Sequence, residues 1–275
     1  MNYGTEMPDF GGIWRAMQKN TDGTDSARNL DDDAERNFWR GFMRGQRMLG
    51  ADDYSRRVMD EVSSILGERR YGSILEIGPG WGNYTFDLAQ RCDSLTCVDI
   101  SPDVLKYIRT EGKEHGLSIR TVNRKWEDYD GKQSDVVFGF NCFYRMKDIE
   151  SCLSKINAKG RILRIIGMTS GPEQEYYRDF ERKLGLKIDY NRLDYILLVN
   201  VLYQLGIDCN IRIVPLERTY EFSSLDQAMA SETKRIMDRE FDRDEVKRIL
   251  RKYLRPTGYG TYAYVHRFNA ALVYW

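Results

Sequence analysis

From residue 73 onward, short apolar runs alternate with stretches in which apolar positions recur at helical spacing. The runs at 73–77, 95–99, 118–122, 135–140 and 161–168 have strand length. Phe86, Leu88 and Ala89 mark a helix after the first run, and Val104, Leu105 and Ile108 one after the second. Strands and helices in alternation predict a parallel sheet covered on both faces. Local signals agree: Ser101, Pro102 and Asp103 supply an N-cap, a proline at the first helical position and an acid in the first turn.

The flanks follow other rhythms. Residues 1–70 hold no good strand, and Phe38, Trp39, Phe42 and Met43, then Val58, Val62, Ile65 and Leu66, predict two amphipathic helices. The polar stretch from Asn20 to Asp33 reads as a mobile loop, suited to a lid. After the fifth strand, Pro172 opens a helix with Tyr176, Tyr177, Phe180 and Leu184, closed by Gly185, and a second helix carries Leu193 to Leu205. Strand-like runs follow at 211–214 and 218–222, then a helical region at 224–254 with Ser224 and Gln227 at capping-box spacing. The final runs, at 262–266 and 269–274, lack the crossover helix that a parallel neighbour needs. The expected organisation is a helical cap over 1–70 and an α/β domain over 71–275, with a helical insertion at 170–209.

The chemistry is concentrated where the first strand ends. Glu76, Gly78, Gly80 and Gly82 have the spacing E-x-G-x-G-x-G, and seventeen residues after Gly82 the second strand ends in Asp99. Glycine lets a ligand lie almost on the backbone, and an acid at the next strand end can accept from both ribose hydroxyls. Asn83 stands where the dinucleotide fingerprint needs a third glycine, which turns the reading away from NAD and FAD, and no Gly-Lys-Ser/Thr is present for a phosphate loop.

The two motifs resemble the first two of the class I S-adenosylmethionine-dependent methyltransferase family, of the small-molecule type. The resemblance covers residues 71–168 and, more loosely, 210–275. It implies a Rossmann-like fold with a seven-stranded, mostly parallel sheet whose last strand is antiparallel. It also implies S-adenosylmethionine as cofactor and transfer of its methyl group to a small-molecule acceptor. On this resemblance Glu76 faces the cofactor's ammonium, the three glycines cradle it, and Asp99 takes the ribose with Ile100 beside it. Trp126 would stack on the adenine, with Glu127 or Asp128 accepting from its amine, although Lys125 stands where the family often has an acid. Asn141, after the fourth strand, would meet the ammonium, and Tyr144 is the candidate for orienting the acceptor or taking its proton. Tyr176, Tyr177, Tyr190, Tyr195 and Tyr203 in the insertion line an acceptor pocket or simply form core.

Composition narrows the field. In 275 residues, 41% hydrophobic and 31% charged, 42 basic side chains offset 42 acidic ones. That leaves little electrostatic drive toward nucleic acid. Apolar stretches are too short to span a bilayer and the N-terminus lacks a signal-peptide pattern, so a cytoplasmic protein without membrane contact is expected. Five cysteines without a C-x-x-C pair, and only His115 and His266, argue against a metal centre or a disulfide framework; most of the cysteines read as small core residues. Two other readings remain open: an aminocarboxypropyl transferase on the same fold, and a non-catalytic protein that binds the same cofactor.

Overall fold

The computed structural model describes residues 7–20, 23–45, 53–190, 193–258 and 260–275. The N-terminal helices are α1 (Phe10–Met17), α2 (Ala27–Leu30), α3 (Asp32–Gly45) and α4 (Asp53–Leu66). The alternating region is β1 (Tyr71–Ile77), α5 (Thr85–Gln90), β2 (Cys92–Asp99), α6 (Pro102–Glu114), β3 (Ile119–Asn123), β4 (Ser134–Phe140), α7 (Ile149–Lys159) and β5 (Gly160–Ser170). Then come α8 (Glu175–Leu184), α9 (Tyr195–Gln204), β6 (Asn210–Phe222), α10 (Leu225–Glu232), α11 (Arg243–Tyr253), β7 (Arg255–Gly258) and β8 (Thr261–Tyr274).

The chain divides into two compact units, one of Met1–Thr169, Leu193–Val214 and Ala270–Trp275, the other of Ser170–Arg192 and Pro215–Asn269. In the first, β1 to β5 pair in parallel, and strand order runs β3-β2-β1-β4-β5-β8-β6. Arg164 and Trp275 exchange both backbone hydrogen bonds, at 3.0 and 3.1 Å, the pattern of an antiparallel pair, so β8 runs against β5. The seven expected strands lie on this path, and β7 is a short eighth strand hairpinned to β8. The chain builds outward from β1 to β3 and then returns to β4 on the other side of β1, which makes the carboxyl ends of β1 and β4 the switch point where such sheets bind ligands.

Several expectations require correction. One strand, β6, replaces the two expected at 211–214 and 218–222 and runs through Pro215. It ends the strand order, and an edge strand tolerates a residue with no N–H to donate. The runs at 262–266 and 269–274 also form one strand, β8, which continues through Arg267 and Phe268. Among the described residues four helices, not two, precede the sheet. The stretch read as a mobile loop contains α2 and a turn in which the Asn20 N–H donates to Thr24 O at 2.8 Å; residues 21–22 lie outside the described residues. The helix missed, α1, has Phe10, Ile13, Trp14 and Met17 at helical spacing, but Gly11 and Gly12 weaken its propensity.

The insertion is divided between the units. Its second helix, α9, belongs to the first, where the Phe10 N–H donates to Gln204 Oε1 at 3.2 Å and Gln204 Nε2 donates to Pro8 O at 2.8 Å. Its first helix, α8, belongs to the second unit, where Tyr176, Tyr177 and Phe180 are buried with Val246, Ile249 and Leu250. Both tyrosine hydroxyls donate to Glu232, so this aromatic stripe is core.

Candidate functional site

A cleft of about 240 Å³ opens at the carboxyl ends of β1, β2 and β4. Its wall includes Glu76, Gly78, Gly80, Asp99, Ile100, Trp126, Glu127, Asn141 and Tyr144, all candidates from sequence. Gly82 is the candidate that stands off the wall. It backs onto the Phe86 ring, which a Cβ there would approach to 2.7 Å.

The loop after β1 needs glycine for two different reasons. Gly78 sits at φ +61°, and a Cβ on it would stand 2.5 Å from the Cys142 Cβ, closer than two carbons tolerate. Gly80 has φ +55°, and its missing side chain faces the Trp39 ring at 3.4 Å. Positive φ at both positions disfavours any residue with a side chain. Across the crevice Asn141, a non-glycine residue, also adopts a left-handed conformation, φ 52°. It is held there because its N–H donates to Gly167 O at 2.9 Å and its Oδ1 accepts the Thr169 N–H at 2.8 Å.

Two carboxyls sit at the strand ends. Glu76 is buried and accepts from Thr85 Oγ1 at 2.7 Å and Cys97 Sγ at 3.4 Å. Burial pushes it up to about 7 against those hydrogen bonds. Asp99 accepts the Ser101 N–H at 2.7 Å, and burial raises it likewise to about 7. Trp126 is rooted in the core, stacked on Tyr129 with ring centres 5.7 Å apart and its Nε1 donating to Cys152 O at 3.2 Å. Glu127 is exposed at the rim. Burial drives the Cys142 thiol far up, so it offers no thiolate nucleophile.

The N-terminal helices roof this cleft, and Asn29, Glu35, Trp39 and Tyr54 are among its lining residues. Glu35, 1% exposed, is gripped by Arg28 through Nε and Nη2 at 2.7 and 3.1 Å and by Trp39 Nε1 at 2.8 Å. It also accepts the Tyr144 hydroxyl. Burial pushes Glu35 upward, but the Arg28 and Tyr144 hydrogen bonds outweigh it and hold the carboxyl below its ordinary range. Tyr144, pushed up by burial and by Glu35, stays a neutral phenol whose hydroxyl is directed at the roof. Phe42 stacks on Trp81, in the glycine loop itself, at 5.0 Å between ring centres. Sequence reasoning missed Glu35, although its signal is present: with Trp39 and Phe42 it shares one helical face, an acid within an apolar stripe.

Comparison with known proteins agrees with this geometry. A family model described as a methyltransferase domain matches residues 74–159, the stretch from the glycine loop through α7. The chain has the Rossmann-like methyltransferase fold. An uncharacterized protein of Haemophilus influenzae is 26% identical over 163 residues, which is 58% of this chain and 60% of that one. Two solved structures share this fold. A candidate methyltransferase of Bacillus halodurans C-125 superposes with TM-score 0.53 at 14% identity, covering 78% of this chain and 96% of that one. Magnesium protoporphyrin IX methyltransferase of Synechocystis PCC 6803, with bound S-adenosylhomocysteine, gives 0.51 at 14% identity, covering 88% and 99%. Among the described residues no helix is long and apolar enough to cross a membrane.

Proposed function

We propose that this chain is an S-adenosylmethionine-dependent methyltransferase acting on a small-molecule acceptor. The observation that carries the reading is the cleft at the switch point, floored by Gly78, Gly80 and Asp99 and roofed by Glu35 and Trp39. The residues present suit the cofactor. Gly78 and Gly80 line the cleft in left-handed backbone that suits glycine, and Asp99 offers a carboxyl group at the strand end. The absence of a P-loop lysine suits a ligand with no phosphate. Asp99 and Ile100 would hold the ribose side, Trp126 and Glu127 the adenine, and Glu76 and Asn141 the ammonium.

When bound, the cofactor supplies a methyl group on a sulfonium, already activated toward displacement. What remains for the protein is alignment and exclusion of water. Fixing the reactants in near-attack geometry is worth roughly 7 to 11 kcal/mol, so no strong base is required. This accords with Tyr144 held as a phenol and Cys142 as a thiol. The roof favours a small acceptor, because α3 closes the side that a macromolecular substrate would need open.

Calorimetry with S-adenosylhomocysteine and with NAD tests the cofactor. Binding of NAD alone, or of neither, overturns the reading. Once an acceptor is found, product mass distinguishes the gain of one methyl group from the larger aminocarboxypropyl group.

A further inference from the structure

Lys125 and Arg145 come from separate loops, after β3 and after β4, and meet on one carboxylate. Asp32 Oδ2 takes Lys125 Nζ and Oδ1 takes Arg145 Nη2, both at 2.7 Å. Asp32 is the first residue of α3, so this acid enters from the roof, whereas both cations belong to the cleft wall.

The Arg145 guanidinium is half used. Nη2 holds Asp32, but Nε is buried without a hydrogen-bond partner among the described residues. Arg28 shows the full arrangement nearby, since its Nε and Nη2 grip both oxygens of Glu35. One edge of a guanidinium presents two parallel N–H groups, and an oxyanion that takes both gains charge-assisted hydrogen bonds of fixed geometry. A buried donor without a partner carries its desolvation cost uncompensated. The single contact with Asp32 leaves that cost standing.

We infer that the acceptor carries an anionic oxygen group, a carboxylate or a phosphate, which displaces Asp32 and bridges Arg145, through Nε and Nη2, to Lys125. The inference rests on the methyltransferase reading of the same cleft. Asp32 is then a place-holder that neutralises the two cations and seats the roof until an anion of better geometry arrives. A neutral or cationic analogue leaves Asp32 in place, so the exchange also selects among acceptors.

The test titrates the full chain, saturated with S-adenosylhomocysteine, with inorganic phosphate, with acetate and with acetamide as a neutral control. We expect saturable binding of at least one anion and none of acetamide. Asp32→Asn, which removes the competing charge, should tighten anion binding about tenfold, and Arg145→Lys, which keeps the charge but loses the fork, should weaken it by a similar factor. Lys125→Gln should weaken it too, which keeps the test decisive if the arginine variant does not fold. The tighter of phosphate and acetate names the acceptor's group. Anion binding that is absent from both wild type and Asp32→Asn, indifferent to Arg145 and Lys125, or matched by acetamide overturns the inference while leaving the cofactor reading intact. Absence of S-adenosylhomocysteine binding overturns that reading and the inference with it.

Discussion

Trp39 packs directly over Gly80, so that a Cβ on Gly80 would stand 3.4 Å from the indole ring. Sequence reasoning expects a side chain there to fill the space of the ligand. The structure directs it at the roof. Gly80→Val should therefore displace Trp39 as well as strain a backbone held at φ +55°, at a cost of about 1 to 3 kcal/mol. The expected readout is a lowered melting temperature and altered tryptophan fluorescence together with weakened S-adenosylhomocysteine binding. Weakened binding with unchanged fluorescence would show that Trp39 does not seat on the loop in solution.

Asp99 should govern cofactor affinity without supporting the ligand-free fold. A hydrogen bond to a charged group is worth about 1.5 to 3 kcal/mol, and losing two in Asp99→Ala should weaken S-adenosylhomocysteine binding on the order of a hundredfold. Asp99→Asn keeps an oxygen for the Ser101 N–H, so its melting temperature should not fall. Equal affinity in Asp99→Ala would make Asp99 a strand-end residue only.

The same carboxyl sets a pH dependence. Glu76 and Asp99 hold their protons to about 7 in the fold, above ordinary values of 4.5 and 3.8. The folded state binds these protons more tightly than the unfolded one. Their contribution to stability is therefore complete below the ordinary values and is lost as pH rises through about 7. Ligand binding runs the other way, because Asp99 accepts best when ionised. S-adenosylhomocysteine affinity should rise between pH 6 and 8, about the midpoint of 7, and Asp99→Asn should flatten the profile. A flat wild-type profile would remove Asp99 from the contact.

Glu35 should hold the roof shut. Glu35→Gln removes the charge that Arg28, Trp39 and Tyr144 share, and each lost charge-assisted bond costs about 1.5 to 3 kcal/mol. Hydrogen exchange over residues 27–45 should accelerate, while Tyr144→Phe should give a smaller effect in the same segment. Added S-adenosylhomocysteine should slow that exchange in the wild type. Exchange indifferent to both variants and to ligand would leave the segment no role as a lid.

Trp14 should be as costly to remove as any core residue. It is fully buried, with Nε1 donating to Met146 O at 2.8 Å. Trp14→Ala should cost about 3 to 5 kcal/mol in chemical denaturation. A loss below 1 kcal/mol, about the scale of a surface change, would show α1 to be an appendage.

The alternation of strand and helix, the glycine loop and Asp99 were legible because each is written locally. A strand announces itself by a few consecutive apolar residues, and a left-handed turn by glycine. The strands β1 to β5 therefore lie where periodicity puts them, and the Ser101 cap forms as its three residues predict. The final antiparallel strand was legible through the family resemblance and not through a missing crossover helix, since α10 and α11 lie between β6 and β8.

What lies far apart in sequence only the tertiary structure decided. Glu35 and Tyr144 are separated by 109 residues, and Asp32 and Arg145 by 113. The pairing itself leaves no local trace: the stripe of Trp39 and Phe42 marks Glu35 as unusual, but nothing local names its partner. Burial also decided one reading left open and overturned another. The tyrosines of α8 became core and not pocket, since their second neighbours are Glu232 and α11, and Pro215 did not end its strand, because the strand lies at the sheet's edge. The sequence by itself determined the first five strands, in their chain order, and the residue types at the strand ends, because the left-handed turns there demand glycine. Which side chains close over the cleft depended on long-range packing, where one carboxylate finds its cations only after the chain has folded.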